Sequence, residues 1–195
     1  MTVVDLGPAA RRMAELMTEV PDRLLDAPTP CPDTSLGDLL DHIGGLTLAF
    51  TAKATKDTAD IGAPPPSASA TQLVDDWRTR IPPTLLALAE AWRHPDAWEG
   101  MTQVGGQDLP AEVAGLVALD ELVVHGWDVA RASGQAYECD QPSLEAAHRF
   151  LEGLSEPGRE AIREGRFGPV VEVPEDAPLL DRVIGLSGRD PAWAP

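Results

Sequence analysis

The sequence predicts an all-α protein: a four-helix bundle with a small C-terminal extension of helix and extended arm. Three features carry that expectation. Apolar residues recur at helical spacing in four long stretches. Proline- and glycine-rich connectors separate those stretches. The fourth, from about Leu109 to the Ser133-Gly134 turn signal, is apolar on nearly every side, as a helix buried in a bundle must be. The expected division is residues 1–134 for the bundle and 135–195 for the extension packed on it.

The first helix is expected from about Pro8 to Leu25. Pro8 suits a first turn, and Ala10, Met13, Leu16, Met17, Val20 and Leu24 keep the helical period. Pro21 should kink or end it. Ala27 to Asp33 holds three prolines and reads as an extended connector. Ser35 opens the second helix, with Asp38 placed for a capping box and Leu36, Leu39, Leu40, Ile43, Leu46 and Phe50 on one face. Gly44-Gly45 weakens helix propensity there but allows a neighbour to approach closely. That helix fades near Lys56, and residues 61–70 read as a loop.

A third helix is expected from about Thr71 to Trp92, bent or divided by Pro82-Pro83. Trp98 to Asp108 is a loop or short hairpin, and Pro110 begins the fourth helix. Ser143–Leu154 reads as another helix, Phe167–Pro174 as a short strand or extended arm, and Leu179–Leu186 as a last short helix.

At 195 residues the chain suits one compact domain, and its 43% hydrophobic and 24% charged content is ordinary for a globular protein. Its net charge of −17 is not ordinary, and it argues against nucleic acid or an anionic membrane surface as a partner. Cys31 and Cys139 are too few for a disulfide framework, although a single bridge stays open. No apolar run reaches membrane-spanning length, and the amino terminus lacks a basic region followed by an apolar core. A cytoplasmic location is expected.

The chemistry concentrates in Asp120 to Ala130. On a helix, Glu121 and His125 are four residues apart and share a side, and Asp128 joins the same stripe. Their neighbours are almost all apolar, so the stripe is buried, and buried charges need a partner or a metal. Alone, such a pair is usually solvated or a satisfied core histidine. His42, on the edge of the second helix's apolar face, changes the balance, because bundles build metal sites from facing helices. Two imidazoles and a carboxylate form the ligand set of open zinc sites, and the same set suits Fe(II). Asp128 either supports a metal-bound histidine or its bound water, or forms a salt bridge, for example with Arg131. Trp127 reads as core or pocket wall, and His94 and His148 as surface residues. Cys31 is a conceivable ligand or nucleophile, but a small packed residue by position.

Thr29-Pro30-Cys31-Pro32, Leu39-Leu40-Asp41-His42, the run from Glu121 to Ala132 and the tail Gly188-Arg189-Asp190-Pro191 together resemble the DinB-like metal-binding superfamily. The pattern is most similar to the actinobacterial branch containing the amino-terminal domain of mycothiol-dependent maleylpyruvate isomerase. That resemblance implies a four-helix bundle with a divalent metal, Zn2+ or alternatively Fe2+ or Ni2+, held by His42, Glu121 and His125. It also implies a thiol-dependent isomerase or S-transferase. Such an enzyme would activate mycothiol or a related small thiol against an electrophilic substrate, with Asp128 assisting proton movement. Thr34 and Gly37 depart from the branch, which often has tryptophan and a basic residue there, and the isomerase has a larger C-terminal domain. The rival readings are a metal-dependent hydrolase, a protein whose metal only ties two helices together, and a ligand-binding module without metal. Monomer and homodimer are both compatible with the sequence.

Overall fold

The computed structural model describes residues 3–57, 68–104, 107–159, 163 and 167–195. Among them are six α-helices and one two-stranded hairpin: α1 (Gly7–Thr18), α2 (Leu36–Ala54), α3 (Trp77–Ala91), α4 (Ala111–Ser133), α5 (Gln141–Leu154) and α6 (Leu179–Leu186). Helices α1 and α2 each pack against both α3 and α4, which makes the ring of a four-helix bundle. Helix α5 lies on α4, and α6 lies on α5. Met13, Leu16, Leu40, Leu85 and Leu119 meet in the middle, all at most 1% exposed.

Local chemistry explains most boundaries. Helix α1 stops at Thr18, short of the expected Leu25, because Pro21 lacks an N–H and disfavours helix in the residue before it. The chain resumes as a single 3-10 turn, Asp22–Leu24. Helix α2 begins with the capping box: Ser35 Oγ accepts from the Asp38 N–H, and the Asp38 carboxylate accepts from the Ser35 N–H. The Ser35 hydroxyl also donates to Asp38 Oδ2 at 2.6 Å, and this bond, then those from the Ala70 and Ser35 N–H groups, hold the Asp38 pKa below its ordinary value. Gly134, with φ of 74°, ends α4 in the left-handed cap expected of it.

Helix α3 begins six residues later than expected. The Asp38 carboxylate accepts the Ala70 N–H at 2.6 Å and Asp41 accepts the Ser69 N–H at 3.2 Å, so this segment is tied to α2 rather than continued as helix. Pro82 and Pro83 neither divide α3 nor break it; both lie inside one continuous helix. The Thr79 and Pro83 face is exposed, so carbonyls that lose a helical partner there can turn to water. The stretch after Trp98 forms the hairpin Met101–Val104 with Gln107–Pro110, Met101 opposite Pro110. Phe167–Pro174 is an extended arm rather than a strand: Val171 N–H donates to Gly185 O at 3.0 Å, and no ladder forms among the described residues. The loop expected over residues 61–70 lies outside the described residues as far as 67. Among the described residues no helix is long and apolar enough to cross a membrane.

One close approach fixes how the hairpin end sits on the bundle. A Cβ on Gly115 would stand 2.6 Å from Trp98 and 2.8 Å from Trp92, two rings packed edge to face and held by indole N–H bonds to Trp92 O and Phe50 O. Neither ring is the loose end of a flexible side chain. Gly115→Ala is expected to destabilise the fold by about 1–3 kcal/mol despite its better helix propensity. Urea unfolding measures this, and a stabilised variant would refute the packing argument.

Candidate metal centre

Helix α4 presents Glu121 and His125 on one stripe because they are four residues apart, and α2 brings His42 to face them. One ligand atom from each of the three residues falls within a cluster no wider than 4.8 Å. The His42 and His125 rings meet edge on, 5.4 Å between centroids and 89° between planes. His125 is buried, whereas the Glu121 side chain is 28% exposed, so the cluster has a wet edge on the carboxylate side.

The polar contacts of His125 sort its two nitrogens. Nε2 stands 2.9 Å from Glu121 Oε2, and Nδ1 stands 2.9 Å from Asp128 Oδ2. Burial alone would depress the His125 pKa, but the hydrogen bonds to Asp128 and Glu121 and their charges carry it up to about 10. Without metal the ring is therefore a cation at neutral pH, donating from both nitrogens. Burial pushes Glu121 and Asp128 upward, yet both end below the ordinary carboxylate value. His125 is the main cause for Glu121; Arg189, then His125, for Asp128.

Asp128 is wholly buried, and its partner is not the expected Arg131. Arg189, sixty-one residues further on in the C-terminal arm, grips it with Nε at 2.9 Å from Oδ1 and Nη2 at 2.9 Å from Oδ2. Arg131 turns outward instead, donating from Nε to the Trp193 carbonyl at 3.0 Å and lying over the buried Trp127 ring. Local spacing does not point to Arg189 as the ion-pair partner; the available signal is an arginine beside glycine in a chain with only 15 basic residues. Nor does spacing give a role to Asp120, which is 3% exposed and whose Oδ1 has no hydrogen-bond partner among the described residues. Burial, and then neighbouring Glu121, raise the Asp120 pKa to about 8.

The remaining candidates fall elsewhere. His94 is exposed, but His148 is not the surface residue expected: its side chain is 12% exposed, with Nδ1 3.9 Å from Glu152. Cys31 and Cys139 are both free thiols, and neither belongs to the ligand cluster. Gly37 accounts for one departure noted above: a Cβ there would lie 2.9 Å from Ala70 Cβ and 3.2 Å from Leu25 O, leaving no room for a long basic side chain.

The donor set fits a divalent cation. Two imidazoles and one carboxylate converge from two helices, and the carboxylate on Nδ1 leaves Nε2 of His125 as the inward donor. Asp128 and Arg189 form the support behind that donor.

Comparison with known proteins gives the family of the sequence. The family model described as the mycothiol maleylpyruvate isomerase N-terminal domain matches residues 6–130, which include all three clustered residues and Asp128 but not Arg189. The crystal structure of the mycothiol-dependent maleylpyruvate isomerase aligns at 16% identity and a TM-score of 0.48. The alignment covers 73% of the present chain and 65% of that one. No curated protein matches.

Proposed function

Since the chain belongs to the mycothiol maleylpyruvate isomerase N-terminal domain family, we propose that it is a metal-dependent enzyme. In this reading it activates a low-molecular-weight thiol of the mycothiol type. The observation that carries the reading is the convergence of His42, Glu121 and His125 beside a wet edge. His42, Glu121 and His125 would hold a divalent cation, zinc in the first instance and Fe2+ or Ni2+ as alternatives, which would lower the pKa of a bound thiol towards neutral. The sulfur then adds to an electrophilic double bond of a second small molecule: the C–S bond forms as the π pair moves to the far atom of that bond, and the thiol proton leaves to solvent through the open edge. An isomerase re-forms the π bond and expels the thiolate, whereas an S-transferase keeps the C–S bond and the far atom takes a proton from solvent.

The protein's own residues orient and exclude. His42 and His125 donate nitrogen, and Glu121 supplies the carboxylate nearest solvent. Asp128 serves as a positioning residue rather than a proton carrier, because it is wholly buried and its oxygens are taken by Arg189 and His125. The buried apolar residues of α4 around the stripe limit the access of water to it. The charge of −17 disfavours nucleic acid as a partner.

Metal content of untagged protein, measured by mass spectrometry for wild type, His42→Ala and His125→Ala, tests the reading. Near-stoichiometric metal in wild type and none in either variant is expected. Metal-dependent consumption of a thiol over a panel of electrophiles should follow. Wild-type protein that neither retains nor rebinds metal would end the proposal; consumption without added thiol would turn it toward hydrolysis by bound water.

A further inference from the structure

Two opposite charges stand in line behind His125. Asp128, 0% exposed, accepts from the His125 Nδ1–H at 2.9 Å. Arg189, whose side chain is 10% exposed, closes the other side of that carboxylate, with Nε at 2.9 Å from Oδ1 and Nη2 at 2.9 Å from Oδ2. A carboxylate on the outer nitrogen of a ligating histidine raises the ring's basicity and so feeds negative charge towards the cation the ring holds. A guanidinium on the same carboxylate draws that charge back. Counting charge gives the same direction. A divalent cation held by two neutral imidazoles and the Glu121 carboxylate keeps a positive charge to meet an incoming anion. Asp128 alone would cancel that charge; Asp128 with Arg189 does not. Asp120, the other buried acid of α4, is faced electrostatically by Arg163 from the C-terminal segment, so that pair adds no net negative charge.

We propose that Arg189, acting through Asp128 and His125, keeps the metal centre electron-poor and thereby strengthens its hold on an anionic sulfur ligand. The inference rests on the metal-centre reading and adds to it a positioning residue, outside the ligand set, that tunes the affinity for the thiol. The roles of the two residues separate. Asp128 fixes the His125 ring by a hydrogen bond that a neutral amide can also accept. Arg189 bonds to Asp128 and to the Ser187 carbonyl, and it reaches His125 only through the carboxylate. If Arg189 were a mere strut, a change at either position would loosen the ring and weaken sulfur binding alike. If its charge is what matters, the two changes have opposite signs and cancel when combined.

Cobalt-loaded protein distinguishes the two, because a thiolate bound to Co2+ gives a near-ultraviolet charge-transfer band. β-Mercaptoethanol is titrated at a single fixed pH into wild type, Arg189→Met, Asp128→Asn and the double variant, each with its bound cobalt measured beforehand. Arg189→Met leaves the carboxylate unbalanced, and the dissociation constant for the thiol is expected to rise about tenfold. Asp128→Asn leaves the guanidinium unbalanced, and the constant is expected to fall by about threefold or more. The double variant restores the balance and should return to within about threefold of wild type. Weaker binding in both single variants, or a double variant as weak as Arg189→Met, overturns the proposal and leaves Arg189 a strut. Should Arg189→Met fail to fold or to keep cobalt, Asp128→Asn against the double variant decides. Losing the guanidinium must still weaken thiol binding in a chain that already lacks the carboxylate, and equal binding by those two variants overturns the proposal. Cobalt content keeps the readings apart. Wild type that takes up no cobalt ends the metal-dependent function and this inference with it; wild type that takes up cobalt but shows no reversal of sign ends this inference alone.

Discussion

Arg189→Met is expected to destabilise the metal-free protein by about 3 kcal/mol, the lower end of the cost of breaking a buried ion pair from one side. The variant strands Asp128, which is 0% exposed, without its bidentate partner. The cost stays at that lower end because the His125 Nδ1–H still donates to Oδ2. Adding Asp128→Asn should recover much of the loss, since the uncompensated charge is then gone. The same variant is expected to weaken metal binding about 10- to 100-fold, as changes to the support of a ligating histidine do. Denaturant unfolding and competition with a metal indicator report the two effects independently. Unchanged metal affinity in a folded Arg189→Met protein would reduce Arg189 to a strut between the C-terminal arm and α4. Gly188→Ala should mimic the loss: φ at Gly188 is 86°, and a Cβ there would lie 2.7 Å from the backbone of Gly168.

Metal affinity is expected to rise about tenfold per pH unit through the neutral range, because binding at His125 Nε2 must expel the proton shared with Glu121. In the metal-free fold the His125 pKa is raised from 6.5 to about 10, so that proton is in place at every neutral pH. Linkage fixes the sign for the fold itself. A histidine whose folded pKa lies above its unfolded one contributes stability that is complete below pH 6.5 and lost as pH climbs towards 10. Chelated protein should therefore melt at progressively lower temperature across that window. Metal-loaded protein gains affinity over the same window and should move the opposite way relative to it. Calorimetry in buffers of different ionisation enthalpy should count at least about one proton released per metal bound. A flat affinity profile across neutral pH would mean either that His125 is not a ligand or that it carries no proton there to expel.

Much of this architecture was legible in the sequence because it depends on neighbours along the chain. Helical period alone sets Glu121, His125 and Asp128 on one side of α4, and the two hydrogen-bonding contacts of His125 run along that stripe. Ser35 with Asp38, and Gly134, mark helix ends through bonds that close within a few residues. Pro21 stops α1 by its own geometry. The starting point of α3 was not legible, because Ser69 and Ala70 are held by carboxylates about thirty residues away on α2. Nor was the survival of α3 through Pro82-Pro83, which depends on which face meets solvent.

The sequence by itself determined that a buried acidic and imidazole stripe had to exist on an apolar helix, since periodicity and hydrophobicity are properties of adjacent residues. Only the tertiary structure decided its company. The approach of His42 to within ring contact of His125, and Arg189 rather than Arg131 on Asp128, both follow from how distant segments pack. Arg131 is three residues from Asp128 yet points away, while Arg189 crosses sixty-one residues of chain to reach it. A buried carboxylate takes the cation that the fold delivers to its open side, and no local spacing encodes which one arrives.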